Sequence, residues 1–338
     1  MPADIGIDLG TTKIIAYDPD RGVLFREPNI VAINNDTGEI VAICSEAHKM
    51  LGRTPSFISA VCPMGGGVIS NYHLTNELIR YALKKVCGES YFKPRVAICV
   101  PSIITDVEQR AVVDAAISAG ARKVYLIEEP VAAALGAGLD ISKPDGRFIV
   151  DIGGGTTDIA LLSLSGVVCK YSVKIAGNRF DEEIIRYVRT KYALLIGQRM
   201  AEEAKKAIGT CWSFDDDRTF EVKGRNLLTG LPGRVTLTWS ELSDVFYDLA
   251  AQLAAAIQKV FEKTPPELAG DVKANGILMT GGGARLHGLD KYFANRFNLK
   301  CEVAENSEEC VAIGTGKSFK LEGYLRDCVS EANNRLHG

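Results

Sequence analysis

Two stretches of this chain are versions of one another: Asp4–Asp18 (DIGIDLGTTKIIAYD) and Ile149–Leu164 (IVDIGGGTTDIALLSL). Each sets an acidic residue, glycine and a threonine pair between two apolar runs. Glycine lets backbone N–H groups approach an anion, and threonine hydroxyls add donors. Gly10, Thr11 and Thr12 in the first copy, and Gly153, Gly154, Gly155, Thr156 and Thr157 in the second, are therefore candidate phosphate grips. An acid beside a phosphate repels it unless a divalent cation lies between them, which assigns Asp8 and Asp151 to hydrated Mg²⁺. One such hairpin alone reads as an ordinary turn, since turns recruit Gly, Thr and Asp freely. Two copies, one opening each half of the chain, predict two similar domains closing on one nucleotide.

The elements that must position these residues follow from periodicity. Ile5, Ile7 and Leu9, then Ile14 and Ile15, alternate as two half-buried strands around the Gly10–Thr12 turn. Residues up to about Pro63 read as strands and turns with a short helix, and Leu74–Cys87 has helical spacing. Arg95–Pro101 (RVAICVP) reads as a buried strand stopped by proline. Thr105–Ala119 reads as a helix capped by Thr105, with Glu108 at capping-box spacing. Val124–Ile127 is a further strand, and Gly136–Gly146 connects to the second hairpin. Strands alternating with helices imply layered α/β domains.

Three further segments carry candidate chemistry. In Leu126–Gly136 (LIEEPVAAALG) a strand ends in two carboxylates and a proline that suits the first turn of a helix, placing Glu129 at the helix entrance. There it can orient and polarise an attacking water, or simply favour the positive end of the helix as Glu128 does. Met200–Gly209 (MAEEAKKAIG) puts Glu202 and Lys205 on one helical face, where they could hold ribose hydroxyls and flank a base, or form a solvated ion pair. In Asn275–Leu289 (NGILMTGGGARLHGL), Gly281, Gly282 and Gly283 offer bare backbone to a flat base or a phosphate.

Composition narrows the class. At 338 residues and 46% hydrophobic, the chain can bury two cores. A net charge of −3 and a pI near 5.9 offer no broad basic surface for nucleic acid. Nine cysteines are scattered with no CxxC pair, as expected of reduced thiols packed in cores. No basic region followed by an apolar core opens the sequence, and no apolar run approaches the roughly 18 residues that span a bilayer. A cytoplasmic protein is expected.

DLGTT, LIEEPVAAALG, DIGGGTTD, AEEAKKAIG and MTGGGARLHGLD, in this order, resemble the five nucleotide-site motifs of the actin, sugar-kinase and heat-shock-chaperone ATPase superfamily. Within it the chain resembles the MreB family of bacterial actins, through REPNIVAI, TGEI, YFKPRVAICVP, ITDVEQRAVVDAA, AGARKVYLIEEP and EKTPPELAGDV as well. The resemblance implies an α/β, actin-like (ribonuclease H-like) fold of two duplicated domains, each with a smaller subdomain, and nucleotide in the cleft between them. Domain I would comprise residues 1–142 and 314–338, with subdomain IB at about 31–67. Domain II would comprise 143–313, with IIB at about 181–239. The implied cofactors are ATP and Mg²⁺. Glu129 would position the hydrolytic water with Thr156 nearby, Glu202 and Lys205 would hold the ribose and base side, and Gly281–Gly283 the adenosine. Hydrolysis of this kind is positioning and electrostatics rather than covalent chemistry.

The resemblance further implies a homopolymer of paired protofilaments that determines rod shape at the inner face of the cytoplasmic membrane, with a transmembrane cell-shape adaptor as partner. Tyr91 and Phe92 would form the membrane loop; two rings bury on the order of 300–500 Å² at most, an anchor only when multiplied along a filament. Some residues depart from the family pattern. Lys13 stands where the family usually has a neutral residue, and GTTK is closer to FtsA-type relatives; a lysine there could grip a β- or γ-phosphate. Asp158 replaces a common glutamate and Asn178 a frequent acid. A chaperone ATPase would need a larger nucleotide domain followed by a substrate domain, and a sugar or acetate kinase an acceptor motif that is not recognisable here. An FtsA-like adaptor that binds partners without robust polymerisation is the competing expectation.

Overall fold

The structure is a computed structural model describing residues 3–88, 93–102, 104–321 and 329–331. The first half begins with the antiparallel run β1 (Asp4–Leu9), β2 (Lys13–Asp18) and β3 (Gly22–Pro28). An excursion follows: β4 (Val31–Asn34), β5 (Ile40–Ile43), α1 (Ser45–Met50) and β6 (Ile58–Val61), with β4 central in a small antiparallel sheet. Two-residue strands β7 (Met64–Gly65) and β8 (Val68–Ile69) form a tight hairpin. Its turn residues Gly66 and Gly67 both have positive φ (57° and 81°), as a two-residue hairpin turn demands. Then come α2 (Tyr72–Cys87), β9 (Arg95–Val100), α3 (Asp106–Ser118), β10 (Lys123–Glu128) and α4 (Glu129–Gly136). The expected capping box on α3 is present: Glu108 N–H donates to Thr105 Oγ1 at 3.3 Å, and Thr105 N–H donates to Glu108 Oε2 at 2.8 Å.

The second half repeats the plan. Antiparallel β11 (Arg147–Ile152), β12 (Thr157–Ser163) and β13 (Gly166–Val173) lead into α5 (Gly177–Tyr192). A second excursion carries β14 (Leu194–Leu195), α6 (Gln198–Ile208), β15 (Thr219–Asn226) and β16 (Pro232–Thr238). Next are α7 (Trp239–Phe261), α8 (Pro266–Asn275), β17 (Ile277–Thr280), α9 (Leu289–Phe297) and β18 (Cys301–Val303). The chain returns through α10 (Cys310–Lys317) to the first half, where β19 (Val329–Glu331) lies antiparallel to β10.

The two main sheets run β19-β10-β9-β1-β2-β3 and β13-β12-β11-β17-β18. Setting β19 aside, β10-β9-β1-β2-β3 matches β18-β17-β11-β12-β13 strand for strand, with the same parallel pairs β1·β9 and β11·β17. Burial follows periodicity. Along α7, Leu242, Phe246, Leu249, Leu253, Ile257 and Val260 return every three or four residues and are all buried, the stripe a 3.6-residue helix aims at a sheet. Each such side chain contributes about 1.5–3 kcal/mol on burial.

Between the two domain cores lies a third, built around α4. Val131–Leu135 pack with Cys99 and Ile127 from the first sheet, with Ile149, Ala160 and Leu162 from the second, and with Val311 of α10. α4 and α10 meet backbone to backbone. A Cβ on Gly136 would lie 1.7 Å from the Cys310 carbonyl oxygen, and one on Gly314 1.7 Å from that of Ala132. On α10 the adjacent Gly316 approaches Gly6 of β1, whose Cβ would come 2.3 Å from the Gly316 nitrogen. These contacts are main chain on main chain, so no rotamer change relieves them. Gly136→Ala and Gly314→Ala should each destabilise the fold by about 1–3 kcal/mol or more, measured by urea unfolding. Gly270→Ala in α8, where a Cβ meets open space, should be neutral or stabilise by up to about 1 kcal/mol. Equal effects at all three positions would refute this account.

Candidate functional site

The two glycine–threonine hairpins face each other. A Cβ on Gly154 would fall 2.3 Å from Thr12 Cγ2, and one on Gly155 2.6 Å from Thr11 Oγ1. The second hairpin therefore needs glycine for contact with the first as well as for exposing backbone. Each loop is fixed locally. Gly153 N–H donates to the Thr156 carbonyl at 2.9 Å, and Gly177 and Asn178 at the start of α5 donate their N–H groups to Gly153 and Gly154 at 3.1 and 2.8 Å. Thr157 Oγ1 donates to the Ile175 carbonyl at 2.6 Å, which turns this threonine away from the cleft. The first loop is held by Asn29, fully buried, whose Nδ2 donates to the Gly10 carbonyl at 2.6 Å and whose N–H donates to that of Thr12 at 2.9 Å.

Four carboxylates converge behind the hairpins, from the ends of β1 (Asp8) and β11 (Asp151), the start of β12 (Asp158) and the first turn of α4 (Glu129). Cys99 Sγ donates to Asp8 Oδ1 at 3.3 Å, and Thr280 Oγ1 to Asp151 Oδ1 at 2.6 Å. Asp158 is fully buried; Ser102 N–H donates to its Oδ1 at 3.1 Å. Burial pushes Asp8 up to about 6, against the help of the Cys99 thiol. Burial likewise pushes Asp151 up to about 7; the Thr280 hydroxyl opposes this, and the charges of Asp158 and Asp8 add to it. Burial, then Asp158, Asp151 and Asp8, hold Glu129 well above the usual carboxylate range.

Such mutual repulsion is what a divalent cation relieves. Among the described residues no three His, Cys, Asp or Glu side chains are placed to ligate one ion directly. Asp8 and Asp151, equivalent in the two repeats, supply hard oxygen donors that fit Mg²⁺ reached through its water shell.

Other candidates separate. Lys205 is turned inward, its Nζ donating to the Gly177 carbonyl at 2.8 Å and pairing with Asp181 Oδ1 at 2.8 Å. Glu202 pairs instead with Lys206 at 2.6 Å, and lines a cavity of about 410 Å³ between α1 and α6 together with His48 and Arg199. A second cavity, of about 270 Å³, is bounded by Thr11, Gly154 and Gly155 and by Gly65, Gly66, Lys174 and Arg179. Gly281, with φ 83°, folds over β11, where a Cβ would lie 2.2 Å from the Ile152 carbonyl oxygen. Gly283 packs on Ile152 too, with a Cβ placed 2.5 Å from its Cγ2. Lys13 Nζ lies 2.6 Å from Glu308 Oε2. Tyr91 and Phe92 lie outside the described residues.

Sequence reasoning missed Asn29, Thr280, Asp181, Glu308 and the Met64–Gly67 run. The signals were a polar residue opening the apolar run Ile30–Ile33, a threonine abutting the Gly281–Gly283 run, and three consecutive glycines.

Because Asp8 and Asp151 keep their protons more readily folded than unfolded, the folded chain binds more protons between about pH 4 and their folded values of about 6 and about 7. Stability of nucleotide-free protein in EDTA therefore falls as pH rises through this window, by on the order of a few kcal/mol. Asp151→Asn should flatten that slope and be more stable than wild type at pH 8 in urea unfolding. Parallel pH profiles for the two proteins would contradict the assignment.

The chain is similar to known proteins in sequence and in fold. The MreB/Mbl protein family matches residues 2–325. The chain is 44% identical to the cell shape-determining protein Mbl of Bacillus cereus over 93% of its own length and 94% of that protein. It is 43% identical to the cell shape-determining protein MreB of Escherichia coli, over 94% and 93%. The crystal structure of MreB 5 of Spiroplasma citri bound to AMPPNP superposes with a TM-score of 0.92 at 36% identity, covering 97% of this chain and 99% of that one. Duplicated sheets, facing hairpins and the match over nearly the whole length lead to one assignment: the fold is actin-like, and the chain belongs to the MreB/Mbl family.

Proposed function

We propose that this chain binds ATP with Mg²⁺ between its two domains, hydrolyses it slowly, and assembles head to tail into filaments that help set cell shape. The observation that carries this reading is the meeting of Thr11 and Thr12 with Gly154 and Gly155 in front of four carboxylates. Support comes from the relative bound to AMPPNP and from relatives named for cell-shape determination. The division into domain I (1–142 and 314–338) and domain II (143–313) belongs to the same reading and is supported by the repeated strand order.

In this mechanism, backbone N–H groups of the two hairpins and the hydroxyls of Thr11, Thr12 and Thr156 take the phosphate oxygens. Asp8 and Asp151 would hold Mg²⁺ through its water shell, and the ion would supply neutralisation of the phosphate charge. Glu129 receives a hydrogen bond from the attacking water and aims it in line with the terminal phosphorus. Asp158, buried beside it, fixes the Glu129 carboxyl. Glu202 on α6 would take the ribose side, and Gly281–Gly283 the adenosine. Lys205, tied to Asp181 and the Gly177 carbonyl, supports the turn under the second hairpin.

Among the described residues, no helix is long and apolar enough to cross a membrane. Contact of filaments with the inner face of the cytoplasmic membrane, through Tyr91 and Phe92, and with a transmembrane adaptor remains part of the proposal on family grounds.

The deciding experiment follows pelleting and phosphate release in the same samples, with Mg²⁺-ATP, Mg²⁺-ADP or no nucleotide. Wild type should form polymer in a nucleotide-dependent way. Glu129→Gln should bind ATP within about threefold of wild type and lose about 10²–10⁴ in hydrolysis rate. Undiminished hydrolysis in the variant would remove Glu129 from its role, and ATP binding without polymer would favour an adaptor.

A further inference from the structure

Glu308 lies in the turn between β18 and α10, and cations from three places meet on it. Lys13, the first residue of β2 beyond the phosphate hairpin, donates from Nζ to Oε2 at 2.6 Å. Arg26 of β3 donates to the same oxygen and also, through Nη1, to Glu309 Oε1 at 2.8 Å. Arg285, two residues beyond Gly283, donates to Glu308 Oε1 at 2.9 Å. The turn is itself pinned to the glycine run, since Gly281 N–H donates to the Ser307 carbonyl at 2.8 Å. A Cβ on Gly282 would touch Glu308 Cγ at 3.7 Å.

An isolated exposed ion pair contributes little. This carboxylate differs: its side chain is 20% exposed, against 42% for Lys13 and Arg26, and both its oxygens are occupied by cationic donors. Burial works against its charge, yet Lys13, Arg26 and Arg285 hold it down at about 2, so it stays ionised at any physiological pH. Lys13 and Arg26 belong to the first sheet, and Arg285 to the segment that follows β17 of the second.

We propose that Glu308 is a positioning residue that clamps the Lys13 end of the first phosphate hairpin to the Gly281–Gly283 loop, holding the two ends of the nucleotide site together and slowing nucleotide escape. This rests on the ATP-binding reading. It gives Lys13 a different task from gripping phosphate: its ammonium is committed to Glu308, and it acts on the nucleotide through the loop it anchors.

Two measurements test the clamp. Hydrogen–deuterium exchange of nucleotide-free protein should show Glu308→Gln raising amide exchange in residues 10–13 and 281–283 together. Release of a fluorescent ATP analogue in Mg²⁺ should quicken about three- to tenfold in Glu308→Gln and in Lys13→Met. The double variant should be no faster than the quicker single, Lys13→Arg should stay near wild type, and high salt should bring wild type toward the variants. Single effects that multiply in the double variant would overturn the clamp and return Lys13 to direct phosphate contact. Release rates within twofold of wild type, or exchange rising in one segment alone, would overturn it as well. Should wild type bind no nucleotide, the ATP reading fails, and the exchange experiment by itself still decides the clamp.

Discussion

The contact of α4 with α10 sets the positions of most other groups in the molecule. Gly136 against Cys310 and Gly314 against Ala132 bring the two helix backbones together at a distance no side chain permits. Small residues Ala132, Ala133 and Ala134 then let both sheets pack on α4 from opposite sides. The N-terminal ends of these helices are where the chemistry lies: α4 begins at Glu129, and α10 begins directly after Glu308 and Glu309. A shift of one helix past the other would move the Glu129 carboxylate relative to the turn that carries Glu308. The crossing therefore fixes the angle between domains and the geometry of the site at once.

The site built on this frame is electrostatically unsatisfied by itself. Asp8, Asp151, Asp158 and Glu129 come from four different elements, and folding forces them together against their own repulsion and desolvation. Protein stability is spent on preorganisation, because the four carboxylates are held together before any counter-charge meets them. The hydrogen bonds from Cys99, Thr280 and Ser102 orient these carboxylates without neutralising them.

Much of this was legible in the residues. The strands around each hairpin, the Thr105–Glu108 cap and the entrance of α4 at Glu129 follow from local periodicity and capping chemistry, which act over a few residues. The repeat of DLGTT in DIGGGTTD disclosed the duplication because both copies meet the same steric demand. What stayed hidden depends on pairings distant in sequence. Glu202 and Lys205 share a helical face by spacing, yet Asp181 on α5 takes Lys205 and leaves Glu202 to Lys206. Asn29 and Thr280 are single polar residues whose partners, Gly10 and Asp151, only the tertiary fold supplies. Glu308 sits 295 positions from Lys13, and no local pattern announces such a pair.

The outer strands of the two main sheets bear on a different matter, the avoidance of unwanted aggregation. A chain that assembles with copies of itself must keep its open ladder edges from templating disordered growth. The β10 edge is covered by β19. The β18 edge is three residues long and carries the Lys300–Glu302 pair, 2.7 Å apart. On the far side of the first sheet, β3 presents Arg26 tied to Glu308 and Glu309. Short, charged or capped borders of this kind disfavour strand addition, so ordered association is left to surfaces other than these edges.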